Sequence, residues 1–131
     1  MQTTISTFES ILKYELAAAE RYRRYVSLVM IHSPLTPCGV VMNIVEPTIR
    51  RSDVVASADS YVCVLLGETE LNDTLRVAGR YDDTLGLQLE ARFSVTTYPP
   101  DPPPAETFMK TAQSRLLRAI AEKMGHVVYA D

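Results

Sequence analysis

Near the start of the chain, apolar residues recur at spacings of three and four, which predicts a helix from Ser6 to Arg24. Ser6 and Glu9 have the spacing of a capping box, in which each side chain accepts a hydrogen bond from a free backbone N–H of the first turn. The other face of this helix carries charged residues. Its mostly apolar stripe consists of Phe8, Ile11, Leu12, Glu15, Leu16, Ala19 and Tyr22.

The next segment is apolar almost without interruption, and prolines divide the residues after it. Residues Tyr25 to His32 have the composition of a strand that is covered on both faces. Thr36 before Pro37 is a good helix start, because proline loses nothing at the first helical position. We expect this helix to run to Arg51 and to be kinked or split by Pro47.

A hairpin is predicted in the middle of the chain. Two strands, Asp53 to Ala56 and Tyr61 to Leu66, flank the small polar residues 57–60, which favour a turn. A helix from Glu70 to Tyr81 comes next, with Thr69 as its N-cap.

The last third of the chain alternates strand and helix signals. Residues Leu87 to Tyr98 alternate apolar and polar side chains, the period of a strand with one buried face. The proline-rich residues 99–104 predict a stiff loop. A helix from Ala105 to Met124 with Gly125 as its C-cap is followed by a short strand from His126 to Tyr129.

The predicted order of elements is α-β-α-β-β-α-β-α-β. It contains a βαββαβ unit, the plan of a ferredoxin-like fold. We therefore expect an α/β (α+β) domain spanning residues 1–131, with a mixed, mostly antiparallel sheet flanked by helices that lie mostly on one face.

Composition narrows the possible functions. With 47% apolar and 22% charged residues and a net charge of −3, the chain has no global basic footprint for nucleic acid. Its longest apolar run, residues 62–66, is too short for a membrane span, and the first residues do not resemble a signal peptide. Cys38 and Cys63 belong to no ligand cluster. We expect a cytoplasmic protein with two free thiols and neither cofactor nor metal.

Five segments, taken in order, resemble GGDEF (diguanylate cyclase) domains. They match the first helix and strand of that family, the approach to its signature hairpin, the strand that leaves the hairpin, a late strand usually written S-I-G-V-A-T-Y-P, and the helix A-D-x-A-L-Y-x-A-K. The segments are residues 8–28, 50–56, 65–69, 92–99 and 110–119. The resemblance spans nearly the whole chain and implies the GGDEF type of ferredoxin-like core.

The departures from this family concern its catalytic parts. The signature Gly-Gly-Asp/Glu-Glu-Phe corresponds to residues 59–63, where Asp59 is the one acid and stands at a glycine position. The metal-binding aspartate corresponds to His32 and the phosphate-binding lysine to Ile120, and the guanine-reading segment is missing between Pro34 and Gly39. Two-metal phosphoryl chemistry needs carboxylates and cations at these places. The resemblance therefore implies a protein that is not an enzyme.

One family feature is retained. GGDEF enzymes often carry an inhibitory R-x-x-D site five residues before the signature, and Arg50 and Asp53 fit that spacing, with Arg51 beside them. Arg50 could hold a phosphate or a guanine edge, and Asp53 could accept from guanine N–H groups. The simpler interpretation is a solvated ion pair at a surface corner, which contributes little to stability.

Three functional hypotheses remain open. The first is a catalytically inactive regulatory or protein-interaction module in bacterial signalling, with a protein partner or self-association and no contact with nucleic acid or membrane. The second is a cyclic di-GMP receptor that binds through Arg50, Arg51 and Asp53. The third, a residual nucleotide enzyme, is disfavoured by the missing acids.

Overall fold

The computed structural model describes residues 1–122 and 127–131 and confirms the predicted order of elements. The elements are α1 (Ile5–Tyr22), β1 (Val26–His32), α2 (Cys38–Val45), a 3₁₀ helix (Glu46–Thr48), β2 (Val54–Ala58), β3 (Tyr61–Gly67), α3 (Leu71–Leu89), β4 (Arg92–Tyr98), α4 (Ala105–Glu122) and β5 (Val127–Val128). The predicted end of the last helix at Met124, its cap at Gly125 and the start of the last strand at His126 lie outside the described residues.

The strands form one sheet in the order β2-β3-β1-β4-β5. The central strand β1 runs antiparallel to both β3 and β4, β2 runs antiparallel to β3, and β5 runs parallel to β4. This is the mixed, mostly antiparallel sheet that the sequence predicts. At one end of β1, His32 lies between Tyr61 and Arg92; at the other, Val26 lies between Gly67 and Tyr98.

Helices cover both faces of the sheet, so the expectation that they lie mostly on one face is wrong. Helices α1 and α4 pack on one face through Phe8, Leu12, Phe108 and Leu116, which meet Leu28 and Met30 of β1. Helices α2 and α3 pack on the other face through Val41, Val45, Ala78 and Leu85, which meet Val29 and Ile31. The physical reason is already present in β1, whose residues 26–31 are all buried.

Three helix starts differ from the predictions. Helix α1 begins earlier than Ser6, because Thr4 is its N-cap and accepts from the backbone N–H of Thr7 at 3.2 Å. Pro37 is the N-cap of α2 and precedes its first residue. Glu70, not Thr69, caps α3 by accepting from the backbone N–H of Asp73 at 2.9 Å.

The helix break predicted at Pro47 is confirmed, whereas the strand start predicted at Leu87 is wrong. The helix after Pro37 splits at Glu46 as predicted, since Pro47 lies in the 3₁₀ helix that comes after α2. The strand predicted from Leu87 is wrong at its start, because α3 continues to Leu89 and β4 begins only at Arg92. The helical stripe of buried residues outlasts the predicted end at Tyr81. It consists of Thr74, Ala78, Tyr81 and Leu85.

The hairpin turn is tighter than predicted. Ser57 and Ala58 belong to β2, and only Asp59 and Ser60 connect the strands. Asp59 has φ of 49°, in the left-handed region that aspartate tolerates better than most residues with a side chain.

Within the described part of the chain, no helix is both long and apolar enough to cross a membrane.

Candidate functional site

The candidate site is the corner where the 3₁₀ helix ends and β2 begins. Asp53 lies there with only 2% of its surface exposed. Its Oδ2 accepts from the backbone N–H of Arg50 at 3.0 Å and from Arg50 Nε at 3.1 Å. Its Oδ1 accepts from Arg50 Nη2 and from the backbone N–H of Gly67, both at 3.3 Å. The carboxylate thus accepts four hydrogen bonds from its own chain.

The guanidinium of Arg50 extends this network to the end of β3. Nη2 donates to Thr69 Oγ1 at 2.8 Å and to the carbonyl oxygen of Gly67. Thr69 Oγ1 in turn donates to the same carbonyl at 2.9 Å, which explains why its hydroxyl does not cap α3. The Arg50 side chain remains 56% exposed. The pair is therefore half buried and joins β2 to β3, unlike the solvated pair of the simpler interpretation.

A cleft of about 370 Å³ opens beside this pair. Arg76 and Arg80 of α3 line it together with Arg50. Tyr81 also lines the cleft, and its hydroxyl lies 3.0 Å from Thr48 Oγ1. Burial raises the pKa of Tyr81, so its hydroxyl stays a neutral hydrogen-bonding group. Arg51 is exposed and lies outside the lining of this cleft.

Arg76 and Arg80 were not predicted from the sequence as residues of this site. Their spacing of four residues places both on one face of a helix, which is a usable signal. The chain nevertheless gives no local indication that this face of α3 meets the Arg50 corner, since about 26 residues separate the two along the chain.

Acidic residues balance the cations of the cleft. Asp73 lies 3.3 Å from Arg76 Nη1, and Glu68 lies 3.5 Å from Arg24 Nη1 at the rim. All four of these side chains are more than half exposed, so the two pairs are weak and can rearrange. The cleft can therefore offer guanidinium groups to phosphate or carbonyl oxygens and carboxylates to N–H groups.

The hairpin end of the sheet is organised differently. His32 Nδ1 lies 3.0 Å from the carbonyl oxygen of Ser60, and the thiol of Cys38 lies 3.9 Å from the carbonyl oxygen of Asp59. Burial raises the pKa of Cys38. Since β3 has seven residues, this end lies about 20 Å from the Arg50 corner. Among residues 1–122 and 127–131, no three His, Cys, Asp or Glu side chains form a group that could hold a metal ion.

Comparisons with known proteins give results for structure only. No protein-family model matches the sequence, and no curated protein matches it significantly. Among solved structures, the GGDEF domain of YfiN (also called TpbB) from Pseudomonas aeruginosa has a TM-score of 0.81 at 17% identity, covering 98% of this chain and 96% of that one. The GGDEF domain of DgcB from Caulobacter crescentus, solved with cyclic di-GMP, has a TM-score of 0.84 at 10% identity, covering 99% and 89%.

A third similar structure contains a partner protein. It is the diguanylate cyclase SiaD from Pseudomonas aeruginosa in complex with its activator SiaC, with a TM-score of 0.75 at 17% identity. The match covers 97% of this chain and 58% of SiaD. Identities this low establish a common fold and nothing finer. The chain has the fold of a GGDEF domain, as the resemblance of its five segments predicted.

Proposed function

We propose that this chain is a catalytically inactive GGDEF-like module that acts in bacterial signalling through contacts with proteins, including self-association. The observation that carries the proposal is the hydrogen bonding at the hairpin end of the sheet. There the imidazole of His32, at the position where the resemblance assigns the metal-binding aspartate, is engaged with the carbonyl oxygen of Ser60.

The chemistry of the missing reaction supports this proposal. Joining two GTP molecules requires carboxylates that hold divalent cations and activate a hydroxyl, with cations that bind the triphosphate. The positions that the resemblance assigns to these roles carry His32, Tyr61, Val62 and Ile120 instead. An imidazole, a phenol and an aliphatic side chain offer Mg²⁺ no carboxylate, and an isoleucine offers nothing to a phosphate.

A role in protein contact is supported by a neighbour of the same fold. SiaD, of which this chain matches 58%, is solved in complex with an activator protein, so a protein that contains this fold has a protein partner. Exposed apolar side chains on this chain are consistent with such contacts; they include Tyr14, Tyr22, Leu35, Val40 and Leu117.

The test is a turnover assay with GTP and Mg²⁺, and with Mn²⁺ in parallel, using mass spectrometry to detect cyclic di-GMP. We expect no product above the protein-free reaction, while an active diguanylate cyclase run alongside forms it readily. Product that scales with the concentration of this chain would overturn the proposal.

The second candidate function is a cyclic di-GMP receptor, and the Arg50 cleft is the observation that favours it. Three arginines line this cleft next to carboxylates that can accept hydrogen bonds from the N–H groups of guanine. DgcB, which has the same fold, is solved with this nucleotide. The proposed ligand would contact Arg76, whose side chain is 78% exposed, more readily than Asp53, whose carboxylate already accepts four bonds.

Isothermal titration with cyclic di-GMP, and with GTP as control, tests this second function. Micromolar binding that Arg76→Ala weakens at least tenfold, and that Arg21→Ala leaves unchanged, supports a receptor. Arg21 is the matched control because it is an exposed arginine on α1, outside the cleft. No heat with either nucleotide would eliminate the receptor and leave the protein-contact module.

A further inference from the structure

Helix α4 carries an arginine at a position where the related helix motif A-D-x-A-L-Y-x-A-K has alanine. This residue, Arg115, is only 3% exposed. Nη1 donates to Asp101 Oδ2 and Nη2 to Asp101 Oδ1, both at 2.8 Å, and Nη1 also donates to the carbonyl oxygen of Val95 at 3.1 Å. Asp101 is fixed in turn, since its Oδ2 accepts from the backbone N–H of Thr97 at 2.9 Å. One edge of the guanidinium is therefore rigidly held inside the protein.

The other edge of the guanidinium holds an exposed residue of the chain's last segment. Nε donates to Asp131 Oδ1 at 3.1 Å and Nη2 to Asp131 Oδ2 at 3.4 Å, while the Asp131 side chain is 75% exposed. Arg118, one helical turn further along α4, donates from Nη1 to the carbonyl oxygen of Ala130 at 2.8 Å. Together Arg115 and Arg118 form a preorganised site for a carboxylate preceded by a backbone carbonyl.

The segment that occupies this site, residues 127–131, has little buried apolar surface among the described residues. Within the described residues, its strand β5 pairs with β4 over two residues, Val127 with Phe93 and Val128 with Ser94. Both valines are only partly buried, and Tyr129 is 49% exposed. Segments with so little buried apolar surface open at a small fraction of the global unfolding free energy. Opening this one would uncover the edge of β4 and the carboxylate site together.

We propose that the edge of β4 with Arg115 and Arg118 is an interaction surface for a second copy of this chain, which inserts its own residues 127–131 in place of the resident segment. The proposal rests on the proposed function, protein contact, and names the partner and the surface. A second copy is favoured because this segment is the sequence that the structure shows to fit: a two-residue strand in the register of β4, followed by an acid on Arg115. Exchange of an identical element is a low-cost route to a symmetric dimer.

The contacts of the exchanged segment affect the rate of exchange and not its equilibrium. Each contact broken within one copy is remade between copies, so weakening a contact does not change the monomer–dimer equilibrium. The resident segment competes at an effective concentration on the order of millimolar, so free copies exchange mainly when they are concentrated or held together. Weakening a contact instead speeds opening and hence exchange.

Disulfide trapping distinguishes the two states. In a Cys38→Ser/Cys63→Ala background, Ser94→Cys and Val128→Cys place thiols on a register pair of β4 and β5. The chain is equilibrated in a glutathione redox buffer from about 10 μM to about 500 μM, below the effective concentration of the resident segment. Non-reducing gels and intact mass then count the disulfide-linked monomers and dimers. The matched control is Ser57→Cys/Val62→Cys, a register pair of β2 and β3 that the proposal leaves within one copy.

We expect covalent dimer to rise with concentration for the β4–β5 pair and to stay at background for the β2–β3 pair. Adding Arg118→Ala should speed dimer formation several-fold and leave the final dimer fraction unchanged. Intramolecular disulfide alone at every concentration, equal dimer in both pairs, or thiols that stay free would each overturn the exchange. None of these outcomes affects the GTP assay, so the exchange and the proposed function can fail independently.

Discussion

Replacing Asp53 with asparagine tests whether the Arg50 corner is primarily a structural joint. The substitution keeps the shape of the side chain and removes its charge and one of its two acceptor oxygens. In either orientation of the amide, its NH₂ group faces two N–H donors: those of Gly67 and Arg50 Nη2, or those of the Arg50 backbone and Nε. Two of four hydrogen bonds are therefore lost.

The two lost bonds differ in cost. A buried backbone N–H left without an acceptor costs about 1 to 3 kcal/mol. The guanidinium of Arg50 is 56% exposed, so water can replace its partner and the loss there is well below the cost of breaking a fully buried ion pair. We expect Asp53→Asn to lower the free energy of unfolding by about 2 to 3 kcal/mol, or roughly 10 °C in Tm for a chain of this size.

Urea denaturation followed by circular dichroism measures this effect, provided that the m-value stays constant. The matched control is Asp83→Asn, which makes the same chemical change at an exposed position of α3 and should alter stability by less than about 0.5 kcal/mol. If Asp53→Asn stays as close to the wild type as this control, the four hydrogen bonds do not stabilise the fold and the reasoning is wrong.

Three further predictions concern other parts of the fold. Arg23 caps α1 with φ of 55°, in the left-handed region that glycine adopts without strain, so Arg23→Gly should raise the free energy of unfolding by about 0.5 to 1 kcal/mol. Arg21→Gly inside the helix should lower it by about 1 kcal/mol. Thermal melts of both variants test these opposite signs. Burial raises the pKa of Cys63 from its ordinary value of 9.0 to about 12, so the stability tied to its protonated thiol is complete below pH 9 and is lost as the pH rises to about 12. Between pH 9 and about 12, the free energy of unfolding of Cys63→Ala should therefore fall less steeply than that of the wild type, by about 1 kcal/mol per pH unit. Equal slopes in the two proteins would show that the Cys63 thiol is not the group that titrates. Ser27 Oγ lies 2.8 Å from Thr97 Oγ1 in the core, so Ser27→Ala should cost about 1 to 2 kcal/mol and adding Thr97→Val should recover part of it; a double-mutant cycle in urea that shows simple additivity would reject this pairing.

The sequence predicted much of the fold because the patterns of apolar residues in α1 and β1 are long and each fits one type of element. The stripe of α1 and the apolar run of β1 each gave one answer, and Pro47 marked the end of α2. The boundary between α3 and β4 was missed, because alternation over Leu87 and Leu89 is also compatible with the last turn of a helix. Only tertiary packing decides between these two structures.

The sequence predicted the Arg50–Asp53 pair of the candidate site but not the environment of that pair. The spacing of Arg50 and Asp53 is visible in the sequence, and the structure brings the two side chains together. Their burial depends on Gly67, which donates from the far end of β3, and on a face of α3 that the sequence does not connect to them. Long-range contacts of this kind carry no local signal, so the sequence could not show whether the pair is solvated or built into the fold.

The hydrogen bonds around Asp53 imply that different residues of the cleft contribute to fold stability and to ligand binding. A nucleotide that used Asp53 would have to displace a donor such as the Gly67 N–H and leave it without an acceptor, at a cost comparable to the hydrogen bond it gains. A nucleotide that used Arg76 would displace only Asp73, from a pair that is largely exposed. A receptor should therefore lose affinity but little stability in Arg76→Ala, and Asp53→Asn should show the reverse. Suppose that a nucleotide binds and that Asp53→Asn lowers the free energy of binding by more than the free energy of unfolding. The carboxylate would then contact the ligand directly, and its role would not be primarily structural.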